Sequence, residues 1–365
     1  MFKIEKITDH VLLFKLVLIG LLIYKLSTIK LWIISERIFP VISVSDNFQV
    51  TDEIFHNSLS ILSFLLLSFL VFKTIRGLLI LLIAVEILLL STDVMRWQPT
   101  VYQFVLSFII YAIKPKYFKF YILLLLSATY FYSGLLKFNL SFINYNWSGS
   151  ILIDFLGVPS HYAYSKPLKA LGFLIPIIEV SSGILLLTQW RKKGFILVVI
   201  THVFILVFLT HVGFVRGFAI WSWNVIMLIY AFIFIRNPQY EKPKFNLTTT
   251  VWLVIIYLLP FLNVFGKYYP YFSFDMFTGD RFYLFINTPS EKDNLMRTYA
   301  KNKDTFYLSE SVSLMAFNEL YVPLTHSKWL HRRFISAYKR DFPDSSPCFE
   351  WSYYPFKTKE ALDDQ

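Results

Sequence analysis

The chain has 365 residues, 56% of them hydrophobic, 19% aromatic and only 16% charged, with a formal net charge of +11. Soluble domains rarely have this composition, whereas polytopic helical membrane proteins do. The lysines and arginines cluster between apolar runs, so their excess is read as a topology signal and nucleic acid is not expected as a partner. With one cysteine, Cys348, the chain can form neither an intrachain disulfide nor a Cys-x-x-Cys redox pair.

No Ala-x-Ala cleavage pattern follows the first apolar core, so that segment is read as retained rather than as a signal peptide. Apolar runs fall at 11–34, 58–72, 77–92, 101–113, 120–137, 168–190, 194–214, 217–235 and 249–266. Most reach the ~17–25 residues that a spanning helix needs, and the short second and fourth can use their aromatic flanks. The expected fold is therefore an all-α polytopic membrane bundle of about nine transmembrane helices.

Loop charges orient it. Lys3 and Lys6, Lys73 and Arg76, Lys114 to Lys119, Arg191 to Lys193, and Arg236 to Lys244 fall in one set of loops. The first loop of the opposite set, 36–57, carries Glu36, Asp46, Asp52 and Glu53 against Arg37. The positive-inside rule then puts the N-terminus in the cytoplasm and the C-terminus outside, with a bacterial inner membrane as the expected location. Lys15, Lys25 and Lys30 in the first run blur the pattern.

After Gly266 the composition becomes aromatic but well charged, without a further spanning run. Residues 1–267 are read as the transmembrane helical domain and 268–365 as a small extracytoplasmic α+β cap. Arg281–Asn287 and Thr305–Ser309 are expected to be strands. Ser311–Glu319 and Thr325–Arg340 are expected to be helices, broken at Pro323. Packing is the alternative reading of the aromatics of the cap.

Several ionisable groups lie inside the apolar runs. Lys137, about 17 residues along an outward-running helix, is expected roughly 25 Å up, near the outer face. The same arithmetic brings Asp93, with Arg96 and Trp97 beside it, His211, and Trp223 with Asn224 to a similar height, with Glu86, Glu179 and His202 deeper. Charged groups at such depth are costly unless paired or hydrated, which marks a site. The plainer alternative is that Asp93 with Arg96, and Glu179 with His202 or Lys137, simply tie helices together. As a cavity open to the outside, the set offers Lys137 as a desolvated base and His211 as a proton shuttle. His202 and His211, nine residues apart, face opposite sides of one helix, and no metal site, Walker loop or dinucleotide-binding motif is expected. Asn139, Asn146 and Asn246 begin glycosylation sequons, the third on the side assigned to the cytoplasm.

Tyr130…Ser133-Gly134…Lys137 followed by Trp147, Trp97-Gln-Pro after an acidic residue, and His211 twelve residues before Trp223 form a pattern. It resembles the horizontally transferred transmembrane (HTTM) domain family and the membrane part of vitamin K-dependent gamma-carboxylase. Phe274 to Gly279 and Phe317 to Pro323 are similar to late segments of bacterial members. The resemblance spans roughly residues 59–340. It implies that Lys137 is the base that deprotonates a reduced, vitamin K-like quinone; His211 and Asp93 are expected beside it in catalytic roles from their shared height. Arg96, Trp97, Glu179, His202, Trp223 and Asn224 would then line the cavity. Two departures separate the chain from the carboxylase: Thr100 stands where a histidine is expected, and the large lumenal region is missing. The expected function is thus binding or oxidation of a quinone or another lipid-soluble molecule rather than carboxylation of protein glutamates. Alternatives are an electron-transfer accessory resembling the DoxX proteins, from the Glu179 to Arg191 stretch, and a non-enzymatic membrane scaffold.

Overall fold

The computed structural model describes residues 9–49, 52–211, 218–279, 282–287, 309–343, 347–353 and 358–362. Its helices are α1 (Asp9–Ser27), α2 (Ile29–Trp32), α3 (Glu53–Phe72), α4 (Arg76–Thr92), α5 (Pro99–Ile113), α6 (Phe118–Leu136), α7 (Ser160–Ala163) and α8 (Lys166–Leu171). Then follow α9 (Leu174–Leu186), α10 (Arg191–His211), α11 (Phe218–Arg236), α12 (Leu247–Leu253) and α13 (Leu259–Phe261). A helical segment thus stands at each apolar run.

Six helical stretches among the described residues are long and apolar enough to cross a membrane, and Pro99–Ile113 and Ile220–Arg236 are shorter apolar helices. Large aliphatic and aromatic side chains such as Leu65, Phe72, Ile80, Ile200 and Phe232 point outward from the bundle. A helix that is apolar on its outer face as well as its inner one suits lipid, not water.

One helix is central. In the stretch Pro115–Leu136, 83% of the apolar window is buried inside the protein, against 28–44% for the other five. That stretch contains α6, so polar residues on α6 face neighbouring helices and not lipid. Its closest partner is α9, and paired glycines allow the approach. A Cβ on Gly134 would stand 2.7 Å from Val180 N, and one on Gly183 would stand 2.6 Å from Phe131 N. Small residues at a helix crossing let backbones meet in this way. Ser127 Oγ adds a 2.7 Å hydrogen bond to Gly183 O across the seam.

Local signals explain several helix boundaries. Asp52 caps α3 by accepting from the N–H groups of Ile54 and Phe55, and Asn246 caps α12 by accepting from Thr249 N. Pro99 occupies the first turn of α5, where its missing N–H costs nothing. The segment after α6, between the apolar runs 120–137 and 168–190, holds a wide π-helical stretch, Phe142–Phe155. Side chains tie it down: Asn139 Nδ2 donates to Thr278 O at 2.8 Å, Asn146 Nδ2 to Phe277 O at 2.6 Å, and Trp147 Nε1 to Leu168 O at 2.7 Å. Gly279, at φ +84°, passes so close that a Cβ there would lie 2.5 Å from Phe142 N.

The C-terminal region holds an antiparallel sheet of β1 (Phe282–Asn287), β2 (Ser309–Ser311), β3 (Cys348–Tyr353) and β4 (Thr358–Leu362), in the order β2-β1-β3-β4. The helices Val312–Leu320 and Lys328–Asp341 accompany it. The expected strand at Thr305–Ser309 lies outside the described residues except at Ser309. Phe334 and Tyr338 pack edge-on to Phe349, joining the second helix to the sheet.

This region grips the segment between α2 and α3. Glu319 accepts from Ile38 N at 2.6 Å and Phe39 N at 2.8 Å, and Arg333 reaches Ser43 O and Asp46. Phe39 lies 5.2 Å from Phe334, ring to ring.

Candidate active site: a buried lysine on the wall of a cavity

Lys137 caps the C-terminal end of α6, where a lysine usually extends to the headgroups. Here it turns inward. The residue is 5% exposed, and Nζ donates to Glu179 Oε2 at 2.6 Å and Ser133 Oγ at 2.7 Å. Ser133 lies one turn before the lysine, on the same helix face, and Gly134 brings the glutamate's helix within reach. Charge–charge attraction and the serine hydroxyl together offset the cost of burying both ions.

A second chain of hydrogen bonds runs from Tyr130, a further turn back. Its hydroxyl lies 2.6 Å from His202 Nε2, and His202 Nδ1 lies 2.5 Å from Asn224 Oδ1. Asn224 Nδ2 donates to Ile220 O at 2.6 Å, which fixes the amide with its oxygen toward the histidine. An amide oxygen only accepts, so His202 Nδ1 donates to it, while Nε2 is hydrogen-bonded to the Tyr130 hydroxyl. His202 is therefore held through both ring nitrogens.

Lys137, Glu179, Tyr130, Ser133, His202 and Asn224 all border one cavity of ≈ 510 Å³. That volume falls within the range of about 300–1,000 Å³ common for small-molecule sites. Trp223, Ile205, Ile220 and Leu324 supply apolar wall. Thr100, the position without the expected histidine, also lines it.

On the C-terminal side the wall includes Asp275 and His326, whose Oδ2 and Nε2 are 3.5 Å apart. Asn263 Nδ2 donates to the same carboxylate at 3.2 Å, and Thr278 hydroxyl donates to its other oxygen. Burial, the largest influence, raises the Asp275 carboxyl. The hydrogen bond and charge of His326, with Thr278 and Asn263, outweigh it and hold the group below its ordinary value.

The other expected site residues lie elsewhere. Asp93 pairs with Arg37 Nη1 at 2.5 Å and accepts from Met95 N, so its ion-pair partner is not Arg96. Arg96 is buried among carbonyls: it donates to Leu31 O and Leu89 O at 2.9 Å and contacts His56 Nδ1 at 3.1 Å. Trp97 stacks on Phe272 and Trp329 and donates to Leu90 O. His211 is exposed at the end of α10, with its ring against Phe155 at 5.1 Å. None of these four borders the cavity. Height along the membrane normal says nothing of position around the bundle, and these residues differ from Lys137 in the latter.

A separate polar cluster explains the lysine that blurred the charge pattern. Lys25 Nζ lies 2.6 Å from Glu86 Oε1 and from Ser63 Oγ, all three fully buried. Trp32 is flanked by Lys25 Nζ at 3.8 Å and the Arg96 guanidinium at 5.0 Å from its ring centre. This cluster borders no part of the cavity. Lys25 thus has an internal partner and is not a loop charge.

Sequence reasoning missed Tyr24, Asp275 and His326 as wall residues. Tyr130 and Ser133 had a usable signal, since both lie one or two helical turns from Lys137 on its own face. No group of three His, Cys, Asp or Glu side chains within reach of one metal ion occurs among the described residues. Against protein-family models, curated proteins and solved structures, the chain has no match.

Proposed function

We propose that this is a membrane protein of nine crossings that binds a lipid-soluble hydroxylated molecule, of the phenol or reduced-quinone class, and removes its hydroxyl proton. The N-terminus is cytoplasmic, and the cavity and C-terminal α+β cap lie on the outer side. The observation that carries this reading is the buried Lys137–Glu179 pair on the wall of a largely apolar cavity. The resemblance to the carboxylase-like membrane family supports the same role for the lysine.

The chemistry follows from the pair. In the resting protein Lys137 is an ammonium held by Glu179. Lys137 passes one proton to Glu179 Oε2 and takes the proton of the bound hydroxyl, forming an N–H bond as the O–H bond breaks. The net result is a proton moved from ligand to glutamate, with an ammonium left beside the new oxyanion. Charge stays balanced throughout, and a low-dielectric wall strengthens the final attraction. Tyr130, His202 and Asn224 hold a polar edge that orients the ring without competing for its proton.

The test is purification in nanodiscs with mass spectrometry of co-purifying isoprenoid quinones, followed by binding of 1-naphthol as a simple probe. Wild type is expected to bind the probe and Lys137→Met to lose the ionised form. No binding by wild type, or an unchanged fraction of bound naphtholate in Lys137→Met, overturns the reading.

A further inference from the structure

The helix Lys328–Asp341 has two unlike faces. Leu330, His331, Phe334, Ala337 and Tyr338 are buried. The other face carries Lys328, Trp329, Arg332, Ser336, Lys339 and Arg340, all exposed. The single acidic residue of this helix, Asp341, pairs with Arg340, and Arg333 pairs with Asp46. Lys328 and Arg332 have no ion-pair partner among the described residues. They stand one turn apart on one side of the helix and share a ring. Lys328 Nζ lies 4.4 Å and the Arg332 guanidinium 5.9 Å from the centre of the Trp351 indole. Glu360, opposite Trp351 in the sheet, accepts from the Tyr353 hydroxyl at 2.5 Å and pairs with neither cation. Two cations at one ring repel each other, and an anion between them removes that cost.

Trp329 sets the level of this face. Its ring stacks on Trp97 at 5.8 Å and meets Tyr269 edge-on at 6.2 Å. Trp97 lies between the end of α4 and the start of α5, two apolar helices, and stacks on Phe272. Aromatic residues gather where bilayer hydrocarbon gives way to headgroups, and helix ends of this kind lie there. Trp329 stays 40% exposed at the edge of the cluster, with Lys328 beside it and Arg332 one turn on. A helix with one buried face and one basic, tryptophan-bearing face suits an anionic lipid surface.

We infer that Lys328, Arg332 and Trp329 form a binding site for an anionic phospholipid: the two cations take the headgroup phosphate, and the indole lies against the start of the acyl chains. The lipid comes from the leaflet at which α4 ends and α5 begins. None of the three residues borders the Lys137 cavity. The inference needs the bundle to lie in a bilayer and does not depend on Lys137 acting as a base. A choline headgroup brings its own positive charge to the same place and cannot neutralise the pair.

The experiment puts a fluorophore on the same face, at Ser336→Cys in a Cys348→Ser background, where it is attached to the sole thiol of the chain. Full-length protein in neutral detergent is titrated with dioctanoyl phosphatidylglycerol, dioctanoyl phosphatidylcholine and the soluble anion glycerol 1-phosphate. The labelled parent is expected to bind the glycerol lipid about tenfold or more tighter than the choline lipid, from roughly fivefold per cation. Lys328→Gln with Arg332→Gln is expected to bring the two lipids within about twofold of each other. Lys328→Arg with Arg332→Lys keeps both charges and is expected to keep the gap. Equal affinities for the two lipids in the parent, or a preference that survives the glutamine pair, overturn the site. A charge-keeping pair that behaves like the glutamine pair shows that the loss was not one of charge, and overturns it too. Glycerol 1-phosphate bound as tightly as the glycerol lipid marks a free-phosphate site and overturns the lipid assignment.

Discussion

Gly134 of α6 and Glu179 of α9 stand so close that a Cβ on the glycine would lie 2.8 Å from the glutamate's Cβ. Nothing larger than hydrogen fits at that position unless the helices part, and the seam they form is what delivers Glu179 to Lys137. Gly134→Ala is expected to lower stability by about 1–3 kcal/mol through overpacking. Gly77, where an added Cβ meets nothing within 4 Å, is the control. Gly77→Ala should leave stability unchanged or slightly raised, since alanine is the better helix former. Thermal unfolding in detergent reads both.

The two buried lysine–glutamate pairs should part company under substitution. Removing one partner leaves an uncompensated charge, so Glu179→Ala and Glu86→Ala should each cost about 3–5 kcal/mol. Replacing both partners by apolar residues should recover most of that loss. The doubles then differ in function: Lys25→Met with Glu86→Leu keeps 1-naphthol binding, whereas Lys137→Met with Glu179→Leu loses proton uptake from the probe. If both doubles bind and ionise it alike, Lys137 has no special chemistry.

His331 makes the C-terminal region acid-sensitive. Its Nδ1 accepts from Trp351 Nε1 at 3.1 Å and its Nε2 donates to Thr325 O at 3.1 Å, an arrangement that needs the neutral ring. Burial pushes this histidine down to about 3. Below about pH 6.5 the unfolded chain binds a proton that the folded one refuses, so stability falls as pH drops until the folded group also titrates. The expected slope in that window is about 1.4 kcal/mol per pH unit, seen as earlier unfolding of the C-terminal region by hydrogen exchange. Asp275 adds to the loss at lower pH. Its depressed carboxyl stabilises the fold above its ordinary value, and that contribution disappears as pH falls through the folded value. A flat profile between pH 6.5 and 4 would contradict the His331 contribution.

Glu319→Ala should unpair the N–H groups of Ile38 and Phe39. A loss of about 1–3 kcal/mol is expected. Faster amide exchange at those two residues, with the bundle helices unaffected, is the local signature.

The apolar runs were readable because a bilayer imposes a length and a composition that few other environments do. Lys137 was readable for a similar reason, since a lysine after a Ser-Gly pair at the end of an apolar run is costly wherever it points inward. Partners were not. Glu179 had two candidate partners, His202 and Lys137; it joins Lys137 while His202 joins Tyr130, and only the rotation of α9 and α10 about their axes decides between these. Asp93 went to Arg37 from the loop before α3, and His211 ended outside the cavity, because sequence gives depth along a helix but not its neighbours. The π-helical stretch was hidden too, as its support comes from carbonyls of residues 277–278 more than a hundred positions later.

Tyr24 and His326 border one cavity although nearly the whole chain separates them. During synthesis the early helices must therefore enter the bilayer with that wall incomplete and the buried lysines awaiting partners that emerge later. Lys25 waits for Glu86 across one intervening apolar helix, α3, and Lys137 waits for Glu179 on the next apolar run. The cavity itself closes only after the last spanning helix has been made and the region following it has docked. A chain stopped just beyond residue 266 would carry all its apolar helices and still have no completed pocket, so insertion and acquisition of the ligand site are separate events in the protein's maturation.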